Sequence, residues 1–190
     1  MLYARLLVFL FLFPVVAQAA DWRFYGSSKI KTDDESLFYD AGSVQHLSET
    51  TVRVWMTAFP KKQIDHVMKT ANEKMINATA KKMASGYIPD YCLLQEVEKS
   101  VSSKKELDDM IIDVIGAEVA ANSDNVKSSA QFFYEIDCSK KRIGELSITF
   151  FNPDGSVANS RNVNNDTPKF SYIPPNSNAE RLSQMVCTKP

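Results

Sequence analysis

Thr50-Thr51-Val52-Arg53-Val54-Trp55-Met56-Thr57-Ala58 (TTVRVWMTA, residues 50–58) is the stretch that decides the fold. Val52, Val54, Met56 and Ala58 fall on one face and Thr51, Arg53, Trp55 and Thr57 on the other, the period of a strand with one face on a core. Its β-branched and aromatic residues suit a pleated surface, and Pro60 ends it. Trp55 on the more polar face indicates that this side is covered too.

Upstream of this strand, Trp22 to Gly26 and Leu37 to Asp40 read as short aromatic-rich strands separated by a polar, charged connection, and Ala41-Gly42-Ser43 as a turn. Downstream, the period turns helical from Gln63. Ile64, Val67, Met68, Ala71, Met75, Ala78 and Met83 share a stripe that Lys81, Lys82 and Gly86 close. A shorter helix carrying Leu94, Val97 and Val101 follows. Ser103 with Glu106 forms a capping box that opens a helix to about Ala121. Leu107, Met110, Ile111, Val114, Ile115 and Val119 face inward along that helix, and Asp108, Asp109 and Asp113 face water. Strands return at Gln131 to Cys138, Ile143 to Phe151 and Ser156 to Arg161, a meander turned at Asn152-Pro153-Asp154-Gly155. Phe170 to Ile173 is a short strand stopped by Pro174 and Pro175. Ser177 with Glu180 caps a last helix whose Ala179, Leu182, Met185 and Val186 are buried. The class is α+β: an antiparallel β-sheet of about six strands, a C-terminal helix, and an inserted helical segment over about 61–125.

Met1 to Arg5, the apolar run LLVFLFLFPVV (residues 6–16) and Ala17-Gln18-Ala19 read as a signal peptide over residues 1–19 with cleavage before Ala20. The apolar run is too short to span a bilayer, and no cysteine follows the cleavage site to take a lipid. Residues 20–190 are expected to form one domain. Removing Arg5 from the 22 basic residues leaves 21 against 23 acidic ones, a net charge of −2 without long blocks of one sign, which argues against a nucleic-acid partner.

In an oxidising compartment the three cysteines allow three pairings. Cys138 with Cys187 is favoured, because it would staple the terminal helix to a strand end. Cys92 is then a buried thiol or an intermolecular one. His46 and His66 stand in no ligand or nucleophile-base spacing. Asp33-Asp34-Glu35 and Asp108-Asp109 read as solvated charges rather than an acid and a base. Phosphate-loop, nucleophile-elbow and zinc-protease motifs are absent from the sequence, so no catalytic residue, metal ligand or cofactor is assigned. Asn77-Ala78-Thr79 matches a glycosylation pattern but falls within a predicted helix, and Met68, Met75 and Met83 read as core.

Both ends of the mature sequence resemble the bacterial surface-adhesin protein E family. At the front the resemblance lies in Trp22 to Ser27, Phe38-Tyr39-Asp40 with Ser43-Val44, and Val52 to Trp55. At the back it lies in Glu135 to Cys138, Leu146 to Phe151, Asp154-Gly155, Ile173-Pro174-Pro175-Asn176-Ser177 and Val186-Cys187. The positions that carry it include Trp22, Tyr39, Asp40, Trp55, Asp137, Pro174, Pro175 and Ser177. The resemblance implies an antiparallel sheet with a packed helix and one disulfide, in a bacterial envelope protein named for adhesion to host proteins. The expected function is that of an exported, non-enzymatic interaction or adhesion domain of the periplasm or cell surface. Its partner would be an envelope or host-matrix protein, and homo-oligomerisation is left open. The competing expectation is a periplasmic binding protein for a small or lipidic ligand, held in an apolar pocket between the inserted helices and the sheet.

Overall fold

The structure is a computed structural model that describes residues 20–30, 33–70, 73–87, 89, 102–163 and 168–188. The proposed signal peptide, Cys92 and the expected helix through Leu94, Val97 and Val101 lie outside them. The strands are β1 (Trp22–Ile30), β2 (Asp33–Asp40), β3 (Gln45–His46), β4 (Thr51–Pro60), β5 (Ala130–Asp137), β6 (Arg142–Phe151), β7 (Val157–Asn162) and β8 (Phe170–Tyr172). The helices are α1 (Lys61–Lys69), α2 (Glu73–Ala84), α3 (Lys104–Ala121) and α4 (Asn178–Cys187). All eight strands join one antiparallel sheet in the order β1-β2-β4-β5-β6-β7, with β3 beside β4 and β8 beside β6.

The alternation of β4 is realised on two different cores. Val52, Val54, Met56 and Ala58 join Tyr25, Leu37, Tyr39 and Ile136 beneath Leu182, Met185 and Val186 of α4. On the opposite face, Phe38 and Phe59 pack under Ile64, Val67 and Met68 of α1 and under Ala117, Ala120 and Ala121 of α3. The sheet is thus a middle layer where α1 and α3 lie on it, although Trp55, whose place on the polar face predicts cover, is not part of that second core. The second helix layer lies over β1, β2 and the end of β4, and none of β5–β8 contributes to that second core.

Two departures from the sequence reading have local causes. Strands β1 and β2 extend through the polar connection to form one hairpin, in which Glu35 and Ser36 are only 4% and 5% exposed. Polar residues hid the strand because burial here is met by hydrogen bonds, such as that from Ser129 Oγ to Glu35 Oε2 at 3.0 Å. The helix expected to run unbroken from Gln63 ends at Lys69, where the Thr70 N–H and hydroxyl both donate to the His66 carbonyl, and α2 starts at Glu73. A threonine bonding back to the preceding turn competes with helix continuation, although the apolar stripe keeps its period across the break. Both expected serine caps form, with Ser103 accepting from the Glu106 N–H and Ser177 from the Glu180 N–H, while the two carboxylates accept one residue further back, from the Ser102 and Asn176 N–H groups.

Candidate interaction surface

Residues paired across an antiparallel ladder share a face, which lets the exposed side be traced from Trp55 outward. Trp55 pairs with Phe133, Phe133 with Ser147, and Ser147 with Asn162. Two residues back on β4, Arg53 pairs with Glu135, and Thr51 leads through Asp137 and Arg142 to Tyr172. Among the described residues, none of this half of the face joins the second core. Trp55 and Phe133 stack at its centre, with ring centroids 4.7 Å apart and planes 18° from parallel. A stacked, half-buried aromatic pair on a sheet face matches the composition of an interface centre.

Charged pairs frame the stack. Arg53 Nε donates to Glu135 Oε2 at 2.8 Å, with both side chains largely buried. Asp137 accepts from Ser139 Oγ, the Lys140 N–H and Arg142 NH2, and the Arg142 guanidinium lies over the Phe170 ring. The Arg142 hydrogen bond is the largest influence holding the Asp137 carboxyl down at about 2. The fixed charges set a polar frame beside the aromatic pair.

The other family-pattern positions are structural. Trp22 meets Phe59 edge-on at 6.2 Å, and Tyr39 is buried beside Tyr25. Asp40 Oδ1 accepts from the Asp21 and Gly42 N–H groups and so fixes the turn after β2. Pro174 accepts from the Ser177 hydroxyl, and with Pro175 it brings the chain into α4. Cys138 and Cys187 stand at disulfide distance, 2.04 Å between sulfurs, and tie the end of α4 to the end of β5. His46 and His66 are exposed and apart, as are Asp108 and Asp109 on α3. Among the described residues, no group of three or more histidine, cysteine or acidic side chains is arranged to hold a metal ion.

Two buried charges were missed by sequence reading: Glu35, which reads as solvated, and Glu118. Glu118 is 1% exposed and accepts from the Phe24 N–H at 3.2 Å and from the Tyr87 hydroxyl at 2.8 Å, with Lys82 Nζ at 3.5 Å. Arg23 and Lys82 both lie over the Tyr87 ring. Burial raises the Glu118 carboxyl above its ordinary range, against the lowering effects of Tyr87, Lys82, the Phe24 N–H and Arg23. The available signal was a lone glutamate inside the small apolar run Ile115-Gly116-Ala117-Glu118-Val119-Ala120-Ala121.

The described helices include none long and apolar enough to cross a membrane. The chain matches no curated protein and no solved structure. Residues 99–188, just under half of the chain, match the model of the surface-adhesin protein E family. The match takes in α3, β5 to β8, α4 and both bonded cysteines; the front strands that resemble the family lie outside it. The resemblance read from the sequence therefore holds for the closing half of the chain, where residues 99–188 are matched by the surface-adhesin protein E family.

Proposed function

We propose that this chain is an exported protein whose residues 1–19 are a signal peptide, and whose residues 20–190 act as one non-enzymatic interaction or adhesion domain of the periplasm or cell surface. The family match supports a role in surface adhesion. The observation that carries the finer reading is the stacked pair Trp55 and Phe133, which no described helix takes into the second core. Helices α1 and α3 cover the other half of the same sheet face, which leaves β4 and the strands after it as the surface proposed for contact. The test presents the purified, oxidised protein to a panel of envelope and host-matrix proteins. Replacing Trp55 by alanine should weaken any specific binding at least tenfold, in the range of an interface anchor. Binding that ignores both Trp55→Ala and Phe133→Ala would sink the reading.

A second reading, a carrier of a small or lipidic ligand, has one observation in its favour. A cavity of about 450 Å³ between α1, α3 and the first hairpin has an apolar floor of Phe24, Ile64, Met68, Val114 and Ala117. Its rim includes Lys61, Asp65, Lys69 and Asp113. A copurified small molecule in a native mass spectrum, lost on Val114→Trp, would favour it.

A further inference from the structure

The two edges of the sheet are finished differently. Along β1, Asn122 accepts from the Trp22 N–H at 2.9 Å and donates to its carbonyl at 3.0 Å. Glu118 takes the Phe24 N–H, and Asn178 donates to the Ser27 carbonyl at 2.9 Å. At the far edge, the Val163 N–H donates to the Leu146 carbonyl. Backbone groups alternate sides along a strand, so Asn159 and Arg161 also turn toward β6, while Ser160 and Asn162 turn their N–H and C=O groups outward. No described residue bonds those outward groups, and every residue of β7 is exposed. Strand β8 pairs farther along β6, and residues 164–167, which join it to β7, lie outside the described ones.

Among the described residues, Tyr172 and Val157 are the two most exposed large hydrophobic side chains, at 62% and 59%. Val157 lies on this edge and Tyr172 on β8, and the ladder pairings put both on the Trp55 face, allowing for the bulge between Phe150 and Phe151. Their partners Phe151 and Arg142 are nine residues apart on β6, or about 30 Å of extended chain. Between them on the opposite face stands Arg161, whose side chain is 70% exposed and uses NH2 to hold Glu145.

We propose that the β7 edge takes an extended segment of a partner protein as an added strand, about five or six residues long. That segment would carry an apolar side chain on Val157 and a carboxylate beside Arg161. Main-chain pairing supplies the attachment and the side chains the selection. A second copy of the chain fits less well. Antiparallel two-fold pairing of β7 on Ser160 or Asn162 sets Arg161 diagonal to its own copy, and pairing on Arg161 sets the two directly opposite. The proposal rests on the interaction reading above and adds its mode.

The probe is a displayed library of random twelve-residue peptides, panned on the oxidised protein. Enriched peptides should hold an acidic residue within a proline-free run and should protect the Ser160 and Asn162 amides from hydrogen exchange. Ser160→Pro removes an outward N–H that the β6–β7 ladder does not use, and should lower affinity at least tenfold where Ser160→Ala does not. As a check independent of folding, N-methylation of the peptide at alternate residues should abolish binding in one register only. Absence of enriched peptides, or binding indifferent to Ser160→Pro and to methylation, overturns the proposal. A dimer that Ser160→Pro dissolves would put a second copy on the edge and also overturn it. Trp55→Ala should leave peptide binding intact, so failure at the edge and failure at the aromatic face are read separately.

Discussion

The β1 and β7 edges belong to one sheet yet solve opposite problems. An exposed strand edge is a template for pairing, and proteins either cover it or break its regularity. At β1 the covering is done by side chains four residues apart on α3, whose one-turn spacing matches alternate residues of the strand: Glu118 reaches Phe24 and Asn122 reaches Trp22. Asn178 of α4 completes the row at Ser27, and Gly26 makes room, since a Cβ there would collide with the Asn178 side chain. Strand β7 has only a bulge and Arg161 to discourage pairing. The side chains that seal β1 and the whole open edge lie within the family-matched residues; β1 itself lies outside them. One end of the sheet is thereby built for permanence and the other for contact.

The strongest way to disturb this contrast is to cut the staple that holds α4. The Cys138–Cys187 bond spans 49 residues, a loop for which the chain-entropy account gives roughly 4 kcal/mol. For a protein of this size that corresponds to a fall in melting temperature of about 8–15 °C, taking ~2–4 °C per kcal/mol. Cys187→Ser should show it by calorimetry and should speed amide exchange along β1, where Asn178 sits, before it touches β7. An unchanged melting temperature would show that α4 holds its place without the bond.

Asn122→Ala removes two hydrogen bonds to Trp22 and should cost about 1–2 kcal/mol in urea unfolding. The matched change at the other edge, Ser160→Ala, removes only the hydroxyl contact to Thr149 and should fall within about 0.5 kcal/mol of the parent. Equal costs at the two positions would erase the distinction between a sealed and an open edge.

Glu118 tests the seal by pH. Its folded-state carboxyl titrates above the ordinary range, so its contribution is fully present below the unfolded value, near 4.5, and is lost as pH rises through the raised folded value. Acidification from neutrality should therefore first stabilise the protein. Glu118→Gln keeps an acceptor for the Phe24 N–H and should flatten that part of the pH–stability profile. A profile identical to the parent's would mean that the carboxylate carries no burial penalty.

The sheet was legible in the sequence where burial is apolar, and illegible where it is polar. Thr50 to Ala58 shows its faces by alternation alone, and the capping boxes at Ser103 and Ser177 mark two helix starts because each needs only local residues. The extended first hairpin is concealed by Ser27, Glu35 and Ser36, and the sealing role of Glu118 and Asn122 depends on strand residues nearly one hundred positions away. The Trp55–Phe133 stack sits between these cases. Trp55 stood out as a large aromatic on a polar face, but its partner is fixed only by the β4–β5 register.

The smallest expected effect lies on the open half. Asp137 is held at about 2 chiefly by Arg142, so its contribution is present above the unfolded value near 3.8 and is lost as pH falls through the folded one. Water reaches this network, so Asp137→Asn should cost less than about 1 kcal/mol at neutral pH. The loss should shrink in high salt and disappear below about pH 2, because the parent carboxyl is then protonated too. A cost of several kcal/mol, independent of salt, would mean that the Asp137–Arg142 pair holds the sheet together as firmly as the β1 seal, and the open half would then be a second structural core.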